Sequence, residues 1–281
     1  MANNFSSTRV AIIGCGWLGT ALVQELLKHK IDVIASTTSP TKLKKLASLS
    51  IKAEILSLPC EQHLLNKAVF FQQQQLVICI PPQLKYGKTN YQAKISTLVI
   101  AAEQAKIKHI ILISTTAVYR GLSGLITENT DLNFEDDKVK CLHNTEQAVL
   151  NFKGNSSIIR FAGLVGEDRH PGRFLAGKTN LANSKHTVNL IHQQDAVAMI
   201  IALLKQTQPC SQTQQIFNGA STTAATRKKF YQQAAKALQL TPPTFNEAEN
   251  SLGNKIISVK KIQDKLNIKL VYPDLIKWLA E

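Results

Sequence analysis

Apolar residues along this chain gather in short runs separated by longer stretches with one apolar face, a pattern that predicts strands joined by crossover helices. Strands are expected near 9–14, 31–36, 53–57, 76–80 and 109–114, with helices near 19–29, 40–49, 60–70 and 90–106 between and after them. In the first helix Leu22, Leu26 and Leu27 share a face. A helix at 142–152 leads to a sixth strand at Ser157–Arg160, after which the pattern loosens into polar turns. Two more apolar runs, Thr187–Ile191 and Gln215–Asn218, flank a helix over Asp195–Lys205; Arg227–Leu238 reads as a further helix, and Thr241–Glu281 as a closing tail. Gln72–Gln75 is a polar loop without recognisable chemistry. The expected fold is α/β, a doubly wound parallel sheet with a small C-terminal substrate lobe. Residues 1–160 would form the core, with 187–218 returning to it, and 161–186 and 219–281 the substrate side.

The turn after the first strand carries chemistry. Gly14-Cys15-Gly16-Trp17-Leu18-Gly19 has GxGxxG spacing between an apolar strand and a helix, with a second apolar run at Asp32–Ala35 completing a βαβ unit. The three glycines meet different steric demands. Gly14 permits the tight turn, Gly16 lets a pyrophosphate approach the backbone, and Gly19 lets the helix pack on the strand so that its free N–H groups point at the anion. The fold expected is therefore of the Rossmann type, with Gly14, Gly16, Trp17, Leu18 and Gly19 as dinucleotide-binding residues.

An acid about 20 residues after the first glycine would hold the ribose 2′-OH of NAD. None stands there. Ser36, Thr37 and Thr38 offer hydroxyls, and Lys42, Lys44 and Lys45 offer ammonium groups where a 2′-phosphate would lie. This favours NADP, with NAD as the alternative.

With 281 residues and 44% apolar content, the chain can bury one large core with a small appendage. Cys15, Cys60, Cys79, Cys141 and Cys210 are odd in number, scattered and without a CxxC pair, so neither a disulfide framework nor a metal site is expected, and a reducing cytoplasm fits. The polar N-terminus and the want of a long apolar run predict no leader or membrane anchor. The charge of +14 is spread without a basic stripe interleaved with aromatics, which argues against nucleic acid and for a surface that attracts anionic small molecules.

Two further patterns are weaker. Gly172–Thr179 spells GxxxxGK[ST], yet no apolar strand precedes it, so it reads as a substrate-side loop whose Arg169, Arg173 and Lys178 could meet an anion. His192 is expected to end a strand and Asp195 to cap the next helix.

Four motifs together resemble the atypical extended branch of the short-chain dehydrogenase/reductase superfamily, close to its YeeZ-like epimerase relatives. They are the glycine fingerprint, Ser114–Tyr119 after the fifth strand, Arg160–Gly166 after the sixth, and Asn189–Val197. The resemblance implies a small-molecule substrate, polar and nucleotide-linked, handled by hydride transfer or epimerisation. It implies that Thr115 hydrogen-bonds the reacting oxygen, and that Ile80, Pro81 and Pro82 pass along the cofactor. The Tyr-x-x-x-Lys dyad of redox-active members is missing: its places fall on Lys138 and Leu142. Tyr119 is the foremost substitute proton carrier, ahead of Lys140 and His143. The alternative is a dinucleotide-binding sensor or scaffold without turnover.

Overall fold

A computed structural model describes residues 8–84, 87, 90–206, 213–248 and 253–281. Cys210 lies outside the described residues. The first half alternates as expected: β1 (Arg9–Ile13), α1 (Trp17–Lys28), β2 (Asp32–Thr37), α2 (Pro40–Ser48), β3 (Ala53–Ile55), α3 (Gln62–Lys67), β4 (Gln75–Ile78), α4 (Tyr91–Gln104) and β5 (His109–Thr115). Then come β6 (Gly124–Ile126), α5 (Asp137–Leu150), β7 (Asn155–Phe161), β8 (Gly163–Val165), α6 (Gly172–Leu175), β9 (Leu190–His192), α7 (Gln193–Lys205) and β10 (Gln214–Gly219). The chain continues through α8 (Arg227–Ala237), β11 (Lys255–Ile257), α9 (Lys260–Leu266) and α10 (Leu275–Trp278).

Seven strands form one Rossmann-type sheet in the order β10-β7-β5-β4-β1-β2-β3. β1 pairs in parallel with β2 (Val10 opposite Val33) and with β4 (Ile12 opposite Val77), and β2–β3 and β4–β5 are parallel too. Val10–Ile13 is apolar without alternation because β1 is covered on both faces. The strand order turns back between β1 and β4, and this switch point leaves a crevice at the carboxyl ends of the two strands.

The chain divides into two compact units, one of residues up to Ser114 with Lys140–Ile159 and Ile200–Ile216, the other of Thr115–Val139, Arg160–Met199 and Phe217–Glu281. This differs from the division expected from sequence: Thr115–Val139 and Thr187–Met199 fall in the second unit, not with the core. At the amino end of the first unit's strands, His109 Nε2 and Ser157 Oγ are 2.9 Å apart, and Gln75 Nε2 donates to Leu204 O.

The second unit has its own core, in which Val165, Leu190, Phe230 and Ala234 pack with Leu275, Trp278 and Leu279. The expected tail is thus structural. Two small parallel pairs, β6–β11 and β8–β9, complete the unit. Asp195 does not cap α7. Its carboxylate accepts from the Val271 and Tyr272 amides at 2.6 and 3.0 Å, and His192 Nδ1 accepts from Gln194 N at the head of the helix instead. Gly172–Thr179 is no phosphate loop: Gly172 begins α6 where a Cβ would collide with Ala234 O of α8, Gly177 N donates to Thr241 O, and Lys178 O accepts from Thr244 N.

Candidate nucleotide-binding cleft

The turn between β1 and α1 is built around its glycines. Gly14 has φ +92°, a left-handed conformation, and a Cβ there would press on Cys79 C, Cys79 O and Ile80 Cγ1 at 3.1–3.2 Å. Gly19 packs α1 on β1 so closely that a Cβ would stand 2.9 Å from Gly14 O. Gly16 is different: its Cβ would meet only Gly14 O, at 3.9 Å, so the space above it is open. Gly16 is also the N-cap of α1, whose first amides have no acceptor within the helix. β2 holds the turn in place. Gly14 N donates to Ser36 Oγ (2.9 Å) and Cys15 N to Ser36 O (2.7 Å).

A cleft of about 440 Å³ opens beside this turn. Its walls are the turn itself, Ser36–Ser39 with Lys42, Leu56–Leu58 after β3, Cys79–Gln83 after β4, and Asn90, Tyr91 and Lys94 at the head of α4. Such a volume suits a nucleotide-sized ligand. Among the described residues no carboxylate lines it, while Lys42 and Lys94 do, so the site favours anions. Burial raises the Cys15 thiol pKa despite the Thr20 hydrogen bond and the Lys42 charge, and it pushes Cys79 up to about 12 with Cys15 adding to the shift. Both thiols stay protonated at neutral pH and act as apolar filler, not as nucleophiles.

The structure therefore brings together Gly14, Gly16, Ser36, Thr37, Thr38, Ile80, Pro81 and Pro82 in one cleft. Trp17, Leu18 and Gly19 open α1 and are not among its lining residues; Leu18 is buried in the core. Ser36 is buried as well and anchors the glycine turn by accepting from Gly14 N. Of the three lysines expected near a 2′-phosphate only Lys42 lines the cleft, and Lys44 and Lys45 are exposed on α2. Leu56–Leu58, Asn90, Tyr91 and Lys94 are lining residues that the sequence pattern did not single out. The Pro81-Pro82 break before an amphipathic helix was the available signal for the last three.

In the second unit Thr115 ends β5 half-buried, and its Oγ1 accepts from Ala117 N at 3.1 Å, which leaves the hydroxyl hydrogen available to donate. Tyr119 does not suit the proton-carrier role expected of it. The side chain has no exposed surface, and its hydroxyl accepts from Arg160 Nη1 at 2.7 Å and donates to Asn218 Oδ1 at 2.9 Å. The Arg160 guanidinium also lies 4.9 Å from the ring centroid. With both hydrogen-bonding directions used inside the protein, Tyr119 is a packing and positioning residue. Lys140 is exposed and His143 half-buried, both on α5.

Among the described residues, no helix is long and apolar enough to cross a membrane, and no group of three or more His, Cys, Asp or Glu side chains could hold a metal ion.

The NAD(P)H-binding family matches over residues 14–207. Protein YeeZ of Escherichia coli (strain K12) is 33% identical over 272 residues, covering 95% of this chain and 97% of its own. Among solved structures, a functionally unknown conserved protein from Silicibacter pomeroyi superimposes with a TM-score of 0.77 at 20% identity, covering 97% of each chain. The UDP-glucuronic acid 4-epimerase from Bacillus cereus, solved with UDP-glucuronic acid and NAD, gives a TM-score of 0.76 at 17% identity over 97% of this chain and 96% of its own. The fold is thus shared with the solved epimerase, and the matched region opens at the glycine turn, where the space above Gly16 is open. The chain belongs to the NAD(P)H-binding family as a relative of the YeeZ proteins.

Proposed function

We propose that this protein binds NADP(H) in the cleft beside Gly14–Gly19 and acts as an oxidoreductase or epimerase-like enzyme on a small, polar, nucleotide-linked substrate. The observation that carries the reading is the chemistry of the cleft wall at the end of β2, where hydroxyls and Lys42 stand and, among the described residues, no carboxylate does. A ribose 2′-phosphate finds a cation there, whereas a bare 2′-OH finds no carboxylate acceptor. The residues present fit a dinucleotide: Gly16 offers an open approach to the backbone, and Leu56–Leu58 and Ile80–Pro82 offer apolar walls to a base. When bound, a nicotinamide cofactor supplies or takes up hydride. Thr115 is the group assigned to hold the reacting substrate oxygen, by donating its hydroxyl hydrogen as charge builds there.

The epimerase reading is supported by the solved relatives with UDP-sugars and NAD, whose fold this chain shares. A second reading, a dinucleotide sensor without turnover, is favoured by one observation: the Tyr-x-x-x-Lys dyad is missing and Tyr119 is sealed in the protein. Calorimetric titration with NADPH and NADH tests the cofactor. NADPH should bind more tightly, by about tenfold for one charge-assisted contact, and Lys42→Ala should erase the difference while Lys44→Ala preserves it. Tighter NADH binding would overturn the assignment. A screen of carbonyl compounds and nucleotide sugars, read by NADPH absorbance and product stereochemistry, tests turnover. Thr115→Val should lower any rate found by on the order of 100-fold, and a broad screen with no turnover supports the sensor.

A further inference from the structure

The first turn of α4 sets Tyr91 in the wall of the cleft with 3% of its surface exposed, and its phenol oxygen is buried without a hydrogen-bond partner. A buried donor left unpaired carries its full desolvation cost, and such groups are uncommon in native folds unless water or a ligand satisfies them. The protein around it does not. Glu146, Cys141 and Cys79 lie close enough to raise the phenol's pKa, with burial the largest cause, yet none accepts its hydrogen. Glu146 instead accepts from Ser114 Oγ at 2.5 Å. The raised pKa keeps the phenol protonated at neutral pH, so it is available as a donor and not as a base. Lys94, one turn further along this fourteen-residue helix, lines the same wall, and the helix's first amides add to the positive potential there.

The position relative to the switch point gives this donor a direction. Ser36–Thr38 and Leu56–Leu58 stand on the β2–β3 side of the crevice, whereas Tyr91 neighbours Cys79 at the end of β4 and residues of α5 that follow β5. A dinucleotide lying across a switch point places one nucleoside on each side. We propose that the Tyr91 hydroxyl is a ligand-binding group for the half of the dinucleotide remote from adenosine, donating to a ribose or phosphate oxygen of the nicotinamide nucleotide with Lys94 supplying charge beside it. This rests on the dinucleotide reading above and adds to it the residue that distinguishes a whole dinucleotide from its adenosine half.

Calorimetry on the full chain tests it with two ligand pairs, NADPH against adenosine 2′,5′-bisphosphate and NADH against AMP. Tyr91→Phe should bind the tighter of the two dinucleotides about tenfold more weakly and the matching adenosine fragment as the wild type does; retained affinity for the fragment also shows that the variant is folded. Because phenylalanine fills the same space without an orphaned donor, the free variant should melt no lower than the wild type. Unchanged dinucleotide affinity overturns the proposal, as does an equal loss for dinucleotide and fragment, which would place the contact on the adenosine side or in the fold. Wild-type protein that binds none of the four ligands removes the dinucleotide reading itself, and this proposal with it.

Discussion

Replacing Gly16 by alanine separates what the ligand needs from what the fold needs. The residue's backbone, φ −79° and ψ −154°, is one that alanine also adopts, and its Cβ would meet nothing closer than Gly14 O at 3.9 Å. Two small effects oppose each other in the free protein: alanine is a poorer residue than glycine at a helix start by up to about 1 kcal/mol, and it narrows the unfolded ensemble by about 0.4–1 kcal/mol. The free variant should therefore unfold within about 0.5 kcal/mol of the wild type, or roughly 1–2 °C for a chain of this size. In the proposed dinucleotide complex the same methyl would stand where the pyrophosphate closes on the turn. Losing one charge-assisted hydrogen bond costs about 1.5–3 kcal/mol, roughly 10- to 100-fold in Kd. Gly19→Ala gives the contrast, because its Cβ stands 2.9 Å from Gly14 O and 3.5 Å from Ile12 Cγ2. Separating α1 from β1 costs about 1–3 kcal/mol, only partly offset by up to about 1 kcal/mol of helix propensity. Thermal unfolding with and without NADPH, beside calorimetry, reads all of this. Gly16→Ala should keep its melting temperature and lose the ligand-induced rise; Gly19→Ala should melt lower without ligand. Wild-type affinity in Gly16→Ala would refute the placement of the pyrophosphate, and a free variant melting several degrees lower would refute the open space above Gly16.

Tyr119→Phe should behave as a stability change: it takes the acceptor from Arg160 and the donor from Asn218, both buried, at a cost of about 1–3 kcal/mol. Urea unfolding should show that loss while NADPH affinity stays at the wild-type value, and a variant of unchanged stability would contradict the sealed geometry. His109 gives a pH dependence, since burial lowers its pKa from 6.5 to about 4. The folded state prefers the neutral ring, so the stability is complete above pH 6.5 and is lost as pH falls from there toward 4, by about 3 kcal/mol in all. The wild type should lose more stability than His109→Gln over this window, and parallel curves would show that His109 is not the group responsible.

The sheet was legible because a strand covered on both faces has to be apolar throughout, as Val10–Ile13 is, and because GxGxxG reports steric demands local to one turn. The β2 wall was legible for the same reason, being a fixed distance along one βαβ unit. Tyr91 was not. On the pattern of α4 it falls among the buried positions with Ile95 and Leu98, and nothing in the sequence says that its hydroxyl finds no partner. Asp195 sits where a capping residue would, but its carboxylate's partners, Val271 and Tyr272, are 76 and 77 residues away. Tyr119 likewise meets Asn218 across 99 residues of sequence. β11, α9 and α10 escaped for another reason: elements of three, seven and four residues are too short to display a period, and they are held by partners such as β6 and the core around Phe230.

The two compact units are interleaved along the chain, which passes from one to the other at residues 114–115, 139–140, 159–160, 199–200 and 216–217. No single break frees either unit, and neither can be inherited as a cassette. A lineage with this architecture cannot acquire a new specificity by recombining one junction, as proteins with sequential domains can. Diversity has to come from point substitutions and from insertions in the connecting loops, where added length costs little in closure entropy. Relatives are then free to differ widely in the residues that meet a substrate while keeping the same order of strands.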